Sequence, residues 1–327
     1  MANVLVTGGA GFIGSHMVDL LIDEGYSVRV LDNLIAGKQA NLSQHKSNNK
    51  LIIDERDIRA VNEKDAIYKD IDYIYHFAGI GDIVPSIDSP EEYMSVNTQG
   101  TVKVCEGARK NSIKKLVYAA SSSCYGIANV PTDENAKISL QYPYALSKYL
   151  GECAVLHWNK VYNLPVNVIR IFNAYGTRSK TSGAYGAVFG VFLKQKLAGK
   201  PYTVVGNGEQ KRDFLYVTDV ANAFYKASIT KNIGEIYNLG AGNPQSVNYL
   251  VKLLEGKVTY IPKRPGEPQT TWADISKIIK ELNWKPKVSF EDGVKNILSE
   301  IAYWKDAPLW DEKSINKATK SWFNNLE

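Results

Sequence analysis

The sequence predicts an α/β fold: a doubly wound parallel sheet followed by a smaller C-terminal lobe. Two textures carry that reading. Six short runs are apolar almost throughout: "NVLVTGG", "SVRVLDN", "KLIIDERD", "IDYIYHFA", "KKLVYAASS" and "VNVIRIFN". Continuous rather than alternating apolarity is what strands buried on both faces require. Segments of helical spacing lie between them, and strand–helix alternation is the pattern of a parallel sheet. After about residue 174 the alternation lapses and glycines gather in "TSGAYGAVFG", "VGNGEQ" and "LGAGNP". The division expected is therefore 1–173 for the sheet domain and 174–327 for the lobe, with about 213–240 returning to the sheet domain.

Individual elements have their own signals. "FIGSHMVDLLIDEG" reads as the first helix, ended by Gly25, a residue free to adopt the left-handed backbone that closes helices. "SPEEYMSVNTQGTVKVCEGARKN" reads as another, opened by Ser89 as N-cap and Pro90 at the first helical position. Further helices are expected over Val217–Ser228 and Ser246–Leu254.

With 327 residues the chain can bury a large core, and 44% apolar with 22% charged residues is ordinary for a globular protein. The formal charge of +5 is spread without long basic runs, which argues against a nucleic-acid partner and fits an anionic small molecule. No apolar run nears the ~18 residues of a membrane span, and "MANVLVTGG" lacks the features of a signal peptide. Cys105, Cys124 and Cys153 match no metal or CxxC spacing, so free thiols in a reducing cytoplasm are expected and no metal site. Cys124 reads as a small buried hydrophobe.

"TGGAGFIG" follows the first strand and opens the first helix, with Gly8, Gly11 and Gly14 in GxxGxxG spacing. Glycines there allow a tight turn, close backbone approach to a pyrophosphate and helix–sheet packing, as in Rossmann-type domains. Phe12 and Ile13 fall in the same turn. Asp32, 18 residues beyond Gly14, ends the second strand beside Asn33. A carboxylate there accepts from ribose hydroxyls and repels a 2′-phosphate, which favours NAD over NADP. Arg29 is not placed as a phosphate clamp.

"YPYALSKYLGE" puts Tyr144 and Lys148 four residues apart, on one helix face. A tyrosine base must work far below its free pKa of about 10, and a nearby ammonium favours phenolate. The pair follows "AASSSCYG", a strand end rich in hydroxyls.

Taken in order, these motifs resemble the extended short-chain dehydrogenase/reductases, in their nucleotide-sugar 4-epimerase and dehydratase branch. "RIFNAYG", "GNGEQKRDFLYVTDV" and "RPGEP…WADISK" extend the likeness over nearly the whole chain. The resemblance implies Tyr144 as the base toward a sugar 4-hydroxyl. It implies Ser121 as the hydroxyl that bonds or relays it, and Lys148 on the nicotinamide ribose, lowering the Tyr144 pKa. It adds Asp57 and Ile58 at adenine, Phe77, Ala78 and Gly79 along the cofactor, and Asn97 near it. Gly79 stands where alanine is commoner. Ser122, Asn173, Val188, Arg212, Arg264 and Thr271 complete the implied substrate set, the two arginines converging on a diphosphate. Considered singly, each arginine reads as a surface ion pair.

Dehydratases of the branch carry Asp-Glu after the Ser/Thr, where this chain has Ser122 and Ser123, hydroxyls that cannot act as carboxyl acid or base. Dehydration is thereby disfavoured. Thr271 is small at a position that a large aromatic can fill, which implies room for N-acetylated sugars. A UDP-hexose or UDP-N-acetylhexosamine 4-epimerase is expected; the alternative is a C4 oxidoreductase that stops at the 4-keto sugar, for example on a GDP-sugar. The intact Ser121, Tyr144 and Lys148 argue against a module that senses NAD without chemistry. The resemblance also implies a homodimer through the helices near 91–110 and 144–162.

Overall fold

The computed structural model describes residues 2–179, 188–263 and 266–326. Strand β1 (Asn3–Thr7) runs through the glycine turn into α1 (Phe12–Asp23), then β2 (Ser27–Leu31), β3 (Leu51–Asp54) and β4 (Tyr73–His76). Helices α2 (Ile83–Asp88), α3 (Pro90–Tyr93) and α4 (Thr101–Lys110) lead to β5 (Lys115–Ser121), the long α5 (Pro143–Tyr162) and β6 (Val166–Ile171). The six apolar runs thus each supply a strand.

Beyond them come β7 (Asn173–Tyr175), α6 (Val188–Leu197), β8 (Tyr202–Val205), β9 (Lys211–Arg212), β10 (Phe214–Tyr216), α7 (Val217–Ile229) and β11 (Glu235–Leu239). The chain continues through β12 (Gln245–Ser246), α8 (Val247–Leu254), β13 (Val258–Ile261), α9 (Ser276–Leu282) and α10 (Phe290–Ser299). Two short helices, α11 (Glu312–Ala318) and α12 (Lys320–Asn325), end it.

Seven strands form one parallel sheet in the order β11-β6-β5-β4-β1-β2-β3. The alternation of side chains sorts them into two cores. Val4, Val6, Val117 and Ala119 face α1 and α7, against Met17, Leu21 and Phe224. Leu5, Leu116, Tyr118 and Ala120 face the opposite core with Val104 of α4 and Val155 of α5. A third, aromatic core holds the C-terminal lobe, with Tyr175 stacked on Phe189 at 4.8 Å and Phe214 on Phe290 at 5.2 Å.

Helix α1 closes as its glycine requires. Gly25 takes φ +90°, and Tyr26 N–H reaches back to Leu21 O at 2.9 Å. The segment from Ser89 departs from a single regular helix. Its Ser89 side chain makes no capping bond, and between α3 and α4 the helix widens to a π-type turn at Met94–Gly100. Such widened turns occur mostly as local bulges, frequently at functional sites. Among the described residues, no helix is long and apolar enough to cross a membrane.

Candidate active site

A cleft of about 860 Å3 opens where β1, β2, β4, β5 and β6 end, the edge of a parallel sheet at which ligands bind. One end starts at the glycine turn. Gly8 has φ +71°, and a Cβ there would lie 2.7 Å from Ala78 N; a Cβ on Gly14 would meet Gly8 O at 2.1 Å. Larger residues at either position would push the turn off the sheet. Gly11, Phe12 and Ile13 line the cleft beside them, at the start of α1 where unpaired N–H groups favour an anion.

Asp32 is 7% exposed and holds this turn in place. Its Oδ2 accepts from Ala10 N–H and its Oδ1 from Leu34 N–H, both at 2.9 Å. Burial pushes its pKa up and these amides oppose the shift. Each oxygen keeps acceptor capacity for a hydroxyl. Asn33 donates to Asp57 Oδ2 at 2.8 Å, and Arg59 grips the same carboxylate, holding it at about 2. Ile58, Phe77, Ala78 and Gly79 continue the wall. Arg29 is turned away and donates to the carbonyls of Ala66, Ile67 and Lys69. A glycine cradle that admits no Cβ, with a carboxylate at the second strand end, fits a dinucleotide.

Asn97, expected near the cofactor, does not line the cleft. It is fully buried in the widened turn, accepts from Ile80 N–H at 2.8 Å, and donates to Ile80 O at 3.0 Å and Ser147 Oγ at 2.9 Å. It ties the loop after β4 to α5, acting through its neighbours. The glycine at 79 belongs to this arrangement, since a Cβ there would come within 2.8 Å of Asn97 Oδ1.

A chain of hydrogen bonds crosses beneath the same loop. Thr101 Oγ1 donates to Asn97 O at 2.7 Å, so it accepts from His76 Nε2–H at 3.0 Å. His76 Nδ1 then accepts from Thr7 Oγ1 at 2.6 Å, and Thr7 Oγ1 accepts from Ala78 N–H at 3.3 Å. Both ring nitrogens of a neutral His76 are used. Burial first, then Lys148, holds its pKa at about 3.

At mid-cleft β5 ends on Ser121, the short 3₁₀ turn after it starts with Ser122, and α5 delivers Tyr144 and Lys148. The Tyr144 phenol faces Ser121, whose hydroxyl favours its charged form. Ser121 Oγ also lies 2.8 Å from Ser123 Oγ and accepts from Ser123 N–H at 3.2 Å. Lys148 Nζ sits 4.5 Å from the Tyr118 ring centre. Burial drives its pKa down to about 7, opposed by Glu152 one turn along α5. The expected depression of Tyr144 is absent from the protein groups alone. Burial pushes the phenol up, Ser121 offsets part of this, and Asp82 and Cys124 add to the rise. Cys124 is packing: it is 1% exposed, and burial lifts its thiol to about 12.

The other end is walled by Asn173, Val188, Arg212 and Thr271. Thr271 Oγ1 donates to Asn173 Oδ1 at 2.6 Å and accepts from Asp213 N–H at 3.3 Å. Buried Asp213 accepts from the N–H groups of Ala241, Gly242 and Ala273, joining three loops behind Arg212. Arg212 does not stand free in the cleft. It donates to Glu267 Oε1 at 2.7 Å and to Pro268 O at 3.0 Å. Arg264, its expected companion, lies outside the described residues. Sequence reasoning missed Gly81, Asp82, Gln141, Tyr142, Glu267 and Trp322 of the lining; of these only Tyr142, opening "YPYALSKYLGE", and Glu267, inside "RPGEP", fall in quoted motifs. Among the described residues, no group of three or more metal-ligating side chains occurs.

Comparisons with known proteins agree with this geometry. A family model described as "NAD dependent epimerase/dehydratase family" matches residues 4–240. A curated relative, a putative UDP-glucose 4-epimerase of Methanocaldococcus jannaschii, is 37% identical over 305 residues, covering 90% of this chain and 97% of the relative. The solved UDP-N-acetylglucosamine 4-epimerase of Methanobrevibacter ruminantium, in complex with UDP-N-acetylmuramic acid, superposes with TM-score 0.86 at 33% identity. It covers 91% of this chain and 99% of its own. The UDP-glucuronic acid 4-epimerase of Bacillus cereus, in complex with UDP-glucuronic acid and NAD, gives TM-score 0.86 at 30% identity over 92% and 99%. By sequence and by fold, the chain belongs to the NAD dependent epimerase/dehydratase family.

Proposed function

We propose that the chain is a nucleotide-sugar 4-epimerase that works through a transient 4-keto sugar, on a UDP-hexose or UDP-N-acetylhexosamine. One observation carries the reading: Ser121, Tyr144 and Lys148 line the same cleft, with the Tyr144 phenol close enough to Ser121 for its hydroxyl to favour the phenolate and Lys148 one turn along α5. They lie between the glycine cradle and the Asn173–Thr271 end, where a dinucleotide and a sugar nucleotide would meet. Bound NAD supplies reversible hydride acceptance from the sugar's C4. Tyr144 takes the 4-hydroxyl proton and Ser121 bonds that oxygen, the pair later returning the proton. Lys148 would hold the nicotinamide ribose. Because burial raises the Tyr144 phenol, its activation depends on positive charge brought close in the loaded enzyme, from Lys148 and the oxidised nicotinamide ring.

Ser122 and Ser123 supply no carboxyl to remove water, and Thr271 leaves space beside the sugar. The names of the relatives favour UDP as the nucleotide. Purified protein incubated with a panel of nucleoside-diphosphate hexoses and no added cofactor tests the reading by NMR. A 4-epimer is expected. A released 4-keto sugar with stoichiometric reduced cofactor would instead mark a C4 oxidoreductase.

A homodimer through α4 and α5 is part of the proposal. Leu150, Ala154, His157 and Val161 fall on one stripe of α5, with Leu150 and Val161 exposed. Sedimentation at twice the monomer mass is expected.

A further inference from the structure

Helix α5 carries Lys148 into the cleft, and the side chain beneath it is Tyr118 of β5. Lys148 Nζ lies 4.5 Å from the centre of the Tyr118 ring, and the Tyr118 hydroxyl donates to Lys148 O at 3.2 Å. One side chain therefore meets both ends of the lysine. A glycine makes the approach possible: a Cβ on Gly151 would lie 2.3 Å from Tyr118 Oη and 2.7 Å from Asn97 O. Glycine is otherwise unfavourable inside a helix, so its place within α5 answers to the phenol that passes beside it.

Tyr118 is fully buried and does not line the cleft, and burial keeps its phenol neutral. Lys148 is 7% exposed, so its ammonium has given up most of its water. The charged group that acts on it is Glu152, whose carboxylate is already held by Arg170 of β6 at 2.5 Å. Around the pair, burial keeps His76 of β4, Cys105 of α4 and Tyr144 of α5 neutral, and Asp82, before α2, acts on Tyr144. A desolvated ammonium over an aromatic face is attracted by the negative potential of that face.

We propose that Tyr118 is a positioning residue for Lys148: its ring face takes the ammonium in place of water, and its hydroxyl pins the helical turn that carries the lysine. The inference rests on the reading above, in which Lys148 acts toward Tyr144 and the cofactor as a cation. Burial alone favours the neutral amine and would withdraw the positive charge that activates Tyr144; the ring opposes that effect. Strand β5 then serves the reaction twice, since Ser121 ends the strand whose Tyr118 supports the lysine.

The test reads Lys148 itself. In full-length protein isotope-labelled at the lysine ε-carbons, the Lys148 signal is assigned by its loss in Lys148→Met and titrated by NMR. For Tyr118→Leu, which removes the ring, the titration midpoint is expected to fall by about one pH unit. For Tyr118→Phe, which keeps the ring and loses the hydroxyl, it is expected to stay at the unmodified value. Turnover follows: the alkaline limb of kcat/KM moves to lower pH with Tyr118→Leu and not with Tyr118→Phe. An unmoved Lys148 midpoint in Tyr118→Leu overturns the proposal in favour of core packing alone, as does an equal shift in the two variants. Should Tyr118→Leu not fold, phenylalanines of increasing fluorination at position 118 decide, because they drain the ring face at nearly constant size. A midpoint that does not fall with fluorine number then overturns the proposal. If the midpoints shift as expected but the unmodified enzyme converts no nucleotide sugar, the catalytic reading fails and the Tyr118 contact stands.

Discussion

Thr271 donates its hydroxyl to Asn173 Oδ1 across 2.6 Å, so two residues of the expected substrate set are fixed by each other. The bond orients the Asn173 amide and holds a small side chain at the wall. Thr271→Tyr would fill the space beside the sugar. Its kcat/KM is expected to fall at least tenfold more for an N-acetylhexosamine substrate than for the matching hexose, a ratio steady-state kinetics reads directly. Equal effects on both would remove Thr271 from the account of specificity. Thr271→Val keeps the size and loses the donor, and should cost about 0.5–1.5 kcal/mol of stability.

Behind Lys148 lies a buried ion pair. Arg170 Nη2 meets Glu152 Oε1 at 2.5 Å and Arg170 Nε meets Oε2 at 3.0 Å, with the two side chains 4% and 2% exposed. Arg170 also donates to the Tyr125 hydroxyl at 2.7 Å, which donates to Asn238 Oδ1 at 2.7 Å. The network ties α5 to β6 and β11. Glu152→Gln would strand the guanidinium, and a loss of about 3–5 kcal/mol is expected in urea unfolding. Replacing both partners with methionine should recover much of it. A loss below about 1 kcal/mol for the single change would mean that water or another group compensates Arg170.

Acid should weaken the fold well above the carboxylate range. His76 is held at about 3 and His16 at about 4, against 6.5 when unfolded, in both cases chiefly by burial. The unfolded chain therefore binds protons that the folded chain refuses. The share of stability tied to these two histidines is full above pH 6.5 and is lost as pH falls toward 4 and then 3. Protonating His76 also breaks its acceptor bond from Thr7. Below about pH 4, Asp57, held at about 2, adds to the loss. Lys148 acts in the same direction at higher pH: its pKa is depressed to about 7, so its contribution improves as pH rises from 7 toward 10.5. Denaturation midpoints measured from pH 7 downward check the first part, and His76→Gln should reduce the slope by about one proton. An unchanged slope would show that His76 is charged in the folded state.

Much of this was legible because it is local. The strands show as runs of apolar residues, and the cradle as glycines whose spacing answers to one turn and one close approach. Ser121, Tyr144 and Lys148 are linked by a strand end and a single helical face. What escaped depends on partners distant in sequence. Asn97 looks like any helix asparagine until the widened turn brings it to Ile80 and Ser147. Arg212 reads as a diphosphate ligand, but Glu267, 55 residues on, takes part of its guanidinium. Trp322 lies in a tail with no motif, and its place at the cleft follows only from the packing of α12 on α2.

The central claim is that the same C4 hydrogen leaves and returns within one closed site, with Tyr144 handling the proton. A nucleotide sugar carrying deuterium at C4, incubated with the enzyme in ordinary water without added cofactor, tests it directly. The account predicts a 4-epimer that keeps the deuterium at C4. It also predicts a Tyr144→Phe variant slower by about 10²–10⁴ in kcat that still binds the nucleotide sugar. Deuterium washed out to solvent, or a Tyr144→Phe enzyme turning over at the normal rate, would contradict it.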